Sequence, residues 1–463
     1  MALKRILVSI IFIGSVLHSF AQSCNCETEF TYVKNFMEAN YAGFKDKKAA
    51  MTEKGYNQLV SEYTALSKGP NANEHCLMTI YQFLRQFKDH HVSIGIKFDA
   101  GKLDSAFISQ KQIIPISDER IAELRKSTGF EGIYDFHEGT KYKIAVIKDK
   151  TPLHDYIGII VSSNLPGWKP GMIKFEAKLE TDSLAMGALF MQNGRPKIDG
   201  FYFWKNAISG DWHREGTTPE PPSYKYAPVE SKKLSDKTLY IKISSFSPGN
   251  AKNIDSILRV NAEALKTMPN LVLDLRGNGG GADYTYEPLV PYIYSNPAKL
   301  IGVSVLATEA NIKGWKQYLD DPDMSEGNKK SIRNTVTMLE AGKGKWVSTA
   351  DDETISNYKK LASPARVVIL IDRNCASTTE QFLLFARQSS KVILMGEHTA
   401  GTLDYSNVIQ APFSCMPYVL RYSSSRSRRL DKGEGIDNVG IKPKYELAKN
   451  SDWIAKAVAV LEH

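Results

Sequence analysis

The sequence predicts an α/β protein, a mainly parallel sheet with alternating helices, preceded by a helical N-terminal region and an antiparallel β module. Three observations predict it. From about residue 233, buried strands and amphipathic helices alternate with short connections, a pattern of right-handed crossovers in a mostly parallel sheet. From about 103 to 232, short alternating runs are separated by Gly, Pro, Asn and Asp clusters, as in a small antiparallel barrel or sandwich. From 22 to 102, apolar residues recur mainly at helical spacing.

In chain order, Met-Ala-Leu-Lys-Arg leads into the apolar run Ile6 to Leu17 and then Ser19-Phe20-Ala21. A charged start, a short apolar core and small residues at the −3 and −1 positions describe a secretory signal peptide over 1–21, cleaved after Ala21. A retained anchor is the alternative, although the run is short for a bilayer. A lipid anchor at Cys24 is disfavoured by the Phe-Ala-Gln-Ser lead-in. After cleavage no stable membrane insertion is expected. Val33, Phe36, Met37 and Tyr41 begin the helical pattern, and Ala49 to Leu66 and Cys76 to Phe87 continue it. Lys88-Asp89-His90-His91 then turns into an alternating strand from Val92 to Ile96. Tyr142 to Ile147 and Tyr156 to Val161 are strands of the β module, which spans 103–232 and ends in a Pro219 to Pro222 linker.

The last region, 233–463, holds the strands Thr238 to Ile243, Leu271 to Leu275, Val367 to Ile371 and Val392 to Met395. A helical stripe runs from Ile254 to Leu265, and a charged helical insertion is expected near 309–351. The 463 residues carry a formal charge of +8, or +6 once Lys4 and Arg5 leave with the leader. No basic block with interleaved aromatics accompanies that excess, so nucleic acid is not an expected partner. The five cysteines, Cys24, Cys26, Cys76, Cys375 and Cys415, are too sparse for a disulfide scaffold. In an exported chain a bridge from Cys24 or Cys26 to Cys76 is plausible, whereas Cys375 is expected to pack. The Cys-x-Cys spacing is too tight for a structural zinc pair, and no metal is implied.

Two stretches bear on chemistry. Ser377 stands where the Val367 strand turns into a helix, beside the free N–H groups of a helix start. There it reads either as a nucleophile or, with Glu380, as a Ser-x-x-Glu capping box. Asp274-Leu-Arg-Gly-Asn-Gly-Gly-Gly281 follows a buried strand, and its glycines let backbone N–H groups approach a ligand. The lysine of a phosphate loop is missing and the spacing does not suit a dinucleotide. An oxyanion hole and a plain tight turn remain. Asp274 and Arg276 are expected to pair and hold the loop.

Taken together, LVLDLRGNGGG, CASTTEQF and MGEHTAGT, with YIKISSF before and GIDNVGIKPKYEL after, resemble the tail-specific or C-terminal processing serine peptidase family over about 238 to 446. The resemblance implies a crotonase-like catalytic domain over 233–463, with Ser377 as nucleophile three residues before Glu380. One branch of the family uses a lysine base, and Thr402 occupies that position here. The other, similar to the tricorn core peptidase, uses an N-terminal histidine and a late acid. Asp89-His90-His91-Val92 places His91 as the base, and Gly435-Ile436-Asp437-Asn438-Val439 places Asp437 as the acid, one methylene shorter than the usual glutamate. His90 stands where glycine is common, and His398 is a rival base.

The implied oxyanion hole draws on Gly279 or Gly280 with Thr378, and no metal or organic cofactor is required. The implied activity is exported endopeptidase cleavage of peptides or unfolded segments, periplasmic or extracellular, with peptide or protein substrates as partners. No PDZ-like glycine loop is evident in 103–232. A non-catalytic binder of hydrophobic ligands or peptides on the same scaffold, and an esterase, are the alternatives.

Overall fold

Cys26, Phe30, Val33 and Met37 are spaced to fall on one helix face, and all are buried. They belong to Cys26–Asn40, the first of four helices with Phe44–Met51, Glu53–Lys68 and Cys76–Arg85. The structure, a computed structural model, describes residues 24–109, 111–136, 141–204, 206–218, 227–322 and 324–463. The expected signal peptide and the Pro219 to Pro222 linker lie outside the described residues. Of the two partners left open for Cys76, Cys26 makes the bridge. Cys24 pairs instead with Cys415, 391 residues away, a pairing that spacing could not suggest. Buried Glu29 reinforces that junction, its carboxylate accepting the Ser414, Cys415 and Met416 N–H groups at 2.7, 2.9 and 2.9 Å.

The β module is an eight-stranded antiparallel meander from Gly132–Phe136 to Trp212–Arg214. A bridge between Phe203 and Ile208, with the Ser209 N–H donating to the Tyr202 carbonyl at 2.8 Å, joins the two ends of the sheet. Phe175, Phe190, Phe201 and Trp212 fill its interior. Where it meets the helices, fully buried Glu176 is shared by His75, through Nδ1, and His154, whose Nδ1 lies 3.4 Å away. His154 Nε2 also reaches Asp149 at 3.0 Å.

Two large sheets and a two-stranded pair, Ala298–Leu300 with Glu353–Ile355, build the described region after 233. One has the order Val229–Lys233, Thr238–Ile243, Asn270–Asp274, Arg366–Ile371, Val392–Gly396, Tyr445–Glu446. Its first pairing is antiparallel and the rest are parallel. Its central strands are apolar on both faces because both are covered. Ile254, Leu258 and Phe382 cover one face, while Trp453, Ala457 and Leu461 of the last helix cover the other.

The second large sheet is wholly antiparallel and stands beside the mainly parallel one, an element the sequence did not predict. It joins Val303–Leu306, Trp346–Ala350, Tyr405–Pro412 and Tyr418–Ser427, and it recruits Ser93–Ile96 from the N-terminal region. The expected insertion is helical over Glu309–Gln317 and Glu326–Ala341, but its end is the strand Trp346–Ala350. Ile312, Trp315 and Leu339 are buried in one core with the N-terminal helices and this sheet. That shared core carries the histidine turn onto the parallel-sheet region.

The Glu176 junction should respond to pH. Burial alone would lower both imidazoles, but the Glu176 carboxylate overrides it and holds His75 and His154 above their usual value. Burial likewise opposes the Glu176 charge, and the two imidazoles hold its carboxyl down at about 2. A raised histidine stabilises the fold fully below about pH 6.5 and loses that contribution as pH rises through its folded value. Glu176→Gln should therefore cost about 3 kcal/mol in urea unfolding at pH 5.5, and distinctly less at pH 9.

Candidate active site

Every residue from Val367 to Ile371 is fully buried, so the chain must leave the sheet by a tight turn. The Asp372 carboxylate shapes it, accepting the N–H groups of Asn374 and Gly277, each at 3.0 Å. Cys375 packs as expected, its thiol donating to the Leu275 carbonyl at 3.1 Å, and burial pushes that thiol well above its ordinary range. Ser377 follows with φ +56° and ψ −122°. A side chain in that region costs about 1–3 kcal/mol and persists only where its surroundings hold it.

Glu380 does the holding. Its buried carboxylate accepts Ser377 N–H at 3.1 Å, Thr402 N–H at 2.7 Å, Gly401 N–H at 2.7 Å and the Thr399 hydroxyl at 2.5 Å. Burial raises this carboxyl, and the four donors pull it back. Sequence reasoning found only the Ser377 half of this contact. Thr402 supplies its backbone N–H to Glu380.

The Ser377 hydroxyl lies 3.0 Å from His91 Nε2, a contact between residues 286 positions apart. His91 Nδ1 lies 2.7 Å from the Tyr405 carbonyl. A carbonyl can only accept, so Nδ1 carries the proton and Nε2 presents a lone pair to the serine. The turn bearing His91 is set by Asp89, which accepts the His91 N–H at 2.8 Å through Oδ1. Asp89 Oδ2 accepts the Tyr41 hydroxyl at 2.7 Å and the Ser423 hydroxyl at 3.2 Å. The rival histidines lie elsewhere: His90 is exposed, and exposed His398 donates from Nδ1 to the Thr399 carbonyl at 2.8 Å.

Of the two routes expected for Asp437, direct or through a bridging polar group, no direct bond to His91 is present among the described residues. Its carboxylate is taken by Lys47 Nζ and by Asn438 Nδ2 at 2.9 Å, while its own N–H is fixed to Asp404 at 2.8 Å. Burial raises the Asp437 carboxyl, and Lys47 opposes that rise. Buried Lys47 also donates to the Lys88 carbonyl at 3.3 Å and sits 5.1 Å from the centre of the Tyr405 ring. Nothing in the sequence around Lys47 marks this role.

The glycine loop lies against the serine turn. A Cβ on Gly280, at φ +100°, would fall 2.7 Å from the Ala376 carbonyl oxygen and 2.9 Å from the Thr378 nitrogen. Only glycine permits that approach. The Gly280 N–H is not free, which corrects the expected donor set: it donates to Asn278 Oδ1 at 3.0 Å, an oxygen that also accepts the Thr379 hydroxyl at 2.8 Å. Among the described residues, the N–H groups of Gly279 and Thr378 have no hydrogen-bond acceptor. Asp274 holds the start of the loop by pairing with Arg276, at 2.9 Å to Nε, and by accepting the Tyr240 hydroxyl at 2.8 Å.

Residues 237–447 match the family model described as peptidase family S41. No curated protein matches the chain. Among solved structures, mature CPAF complexed with lactacystin is similar in fold, with a TM-score of 0.50 at 11% identity over 95% of this chain and 97% of that one. Weaker likeness extends to the photosystem II D1 C-terminal processing protease, with a TM-score of 0.39 at 13% identity over 95% and 98% of the two chains. For the tricorn protease the TM-score is 0.37 at 13% identity over 94% of this chain and 37% of that one.

Glu380→Gln keeps the shape of the side chain but replaces one accepting oxygen with a donor that faces other donors. It should lower unfolding free energy by about 2–4 kcal/mol, read from the urea midpoint. A change below about 0.5 kcal/mol would contradict the clamp.

Proposed function

We propose that this chain, whose residues 237–447 match peptidase family S41, is a serine-type peptidase: an exported endopeptidase cleaving peptides or unfolded segments with Ser377 as nucleophile and His91 as base. The observation that carries this is the 3.0 Å contact between Ser377 Oγ and His91 Nε2. The parallel sheet with helices on both faces is read as the crotonase-like core, and the antiparallel module as a separate domain.

In this mechanism Ser377 Oγ attacks the peptide carbonyl carbon while its proton passes to His91 Nε2. The other ring proton stays on Nδ1, hydrogen-bonded to the Tyr405 carbonyl, which keeps the ring oriented. Negative charge gathers on the carbonyl oxygen, and the Gly279 and Thr378 N–H groups are the donors left to receive it. Each such donor contributes about 3–4 kcal/mol to the transition state. His91 then hands its proton to the leaving amine. Water, deprotonated by His91, attacks the acyl carbon and frees Ser377. Asp437 acts here by anchoring Lys47 beside the histidine turn. Export is supported by the leader-like N-terminus and by two disulfides, which persist in oxidising compartments. No described helix is long and apolar enough to cross a membrane.

Hydrolysis of an unstructured fluorogenic peptide tests the reading. Ser377→Ala and His91→Ala should each lower kcat by about 1,000-fold or more, and the double variant should lose little further because the two act as a unit. An unchanged rate in Ser377→Ala would sink the assignment. Faster turnover of simple esters than of any peptide would point to the esterase alternative.

A further inference from the structure

Resting on the peptidase reading, we propose that Asp283 makes the site select substrates with a lysine or arginine side chain next to the scissile bond. Asp283 opens the short turn Asp283–Thr285, directly after the glycine loop. Two bonds fix that turn: the Ala282 N–H donates to the Phe246 carbonyl at 3.0 Å, and the Thr285 hydroxyl donates to the same oxygen at 2.7 Å. The turn packs against the helix Thr378–Ala386, which begins with one of the two N–H groups left for the substrate oxygen. The Thr378 side chain lies between them. Its hydroxyl is 3.0 Å from the Gly281 carbonyl and in hydrogen-bonding contact with the Asp283 carboxyl. Asp283 therefore stands one side chain away from the Thr378 N–H that receives the attacked carbonyl oxygen.

The fold has little use for this carboxylate. Among the described residues it accepts no backbone N–H, and no lysine or arginine offsets its charge. The groups around it are acidic or neutral. Its own stretch supplies Glu287 and Tyr286, Tyr358 stands beside them, and the helix supplies the Thr378 hydroxyl. Glu380 of the same helix is occupied by the 399–402 loop. Asp283 is exposed, yet protein crowds its carboxyl so that desolvation, with Glu287 adding, pushes it up to about 6. An acid that solvent reaches but solvates poorly is an acid on the wall of a cleft.

Such a charge beside an oxyanion hole works against the reaction. The tetrahedral intermediate gathers negative charge on its oxygen, and an ionised Asp283 nearby repels it. A cation carried by the substrate removes the conflict, because it pairs with Asp283 as the oxyanion forms. A lysine or arginine flanking the attacked carbonyl brings that cation; a neutral side chain leaves both the repulsion and the poorly solvated carboxylate unrelieved. Asp283 makes and breaks no bond and carries no proton. It sets which substrates reach the transition state.

The test uses pairs of fluorogenic peptides that differ only in lysine against norleucine, a side chain of similar shape without the charge, placed on one side of the cleaved bond or the other. At about pH 8 the mature chain should show kcat/KM at least about tenfold higher for lysine at one of these positions. Asp283→Asn, which is isosteric, should bring that ratio to within about threefold of unity. Asp283 is charged above about pH 6 and protonated below it, so the wild-type ratio should shrink as pH falls from about 8 to about 5. Protonation of His91 affects both peptides alike and cancels in the ratio. A wild-type ratio near unity, or one that Asp283→Asn leaves unmoved, would overturn the proposal; if that variant does not fold, a ratio constant across the same pH range overturns it instead. Were neither peptide cleaved, the peptidase reading would fall, and binding of the same peptides, read by fluorescence anisotropy, would decide this proposal separately. Affinity at least about threefold tighter for lysine would support it, and equal affinities would overturn it.

Discussion

The site depends on one buried carboxylate with four donors. Glu380 collects the Ser377 N–H from its own helix start and three further donors from the 399–402 loop. A buried carboxylate with fewer donors would be driven toward its neutral form. With four, it can remain charged and pull the serine turn against the loop. That pull is what allows Ser377 to occupy a left-handed conformation that a non-glycine residue otherwise avoids. The strain and the clamp are two sides of one arrangement, and the freed serine hydroxyl points to His91 as a result.

The histidine arrives from the other end of the chain by a separate route. Ser93–Ile96 pairs with the strand Tyr418–Ser427, bringing the preceding turn beside Tyr405. The Cys24–Cys415 bridge and Glu29 fasten the first helix to the turn at the far end of that same hairpin. The N-terminal helices and the antiparallel sheet share one core, so His91 is held by packing across the chain. Lys47 and Asp437 add a charged tie between the second helix and the late turn. The histidine thus sits on a framework as firm as the one that holds the serine.

What the sequence revealed follows the range of the interactions involved. The parallel strands were legible because they are apolar on both faces and end in turns. The serine turn and the glycine loop were legible because both rest on local backbone demands. The strand Tyr418–Ser427 was not, because its buried residues include Ser423, Ser424 and Ser425, each satisfied by hydrogen bonds that no alternation signals. The Cys24–Cys415 bridge was hidden by its separation. Gly280 and Asp437 were placed by motif, but whether an N–H is free or a carboxylate reaches a ring is decided by neighbours such as Asn278 and Lys47. Those neighbours carry no pattern of their own.

The central claim is that the strained Ser377, and no other serine, is the group His91 activates. Peptide mapping of the adduct formed with a fluorophosphonate tests it most directly. The account predicts one modified residue, Ser377, and loss of the adduct in His91→Ala. An adduct on a different serine, or one on Ser377 that forms as fast without His91, would contradict it.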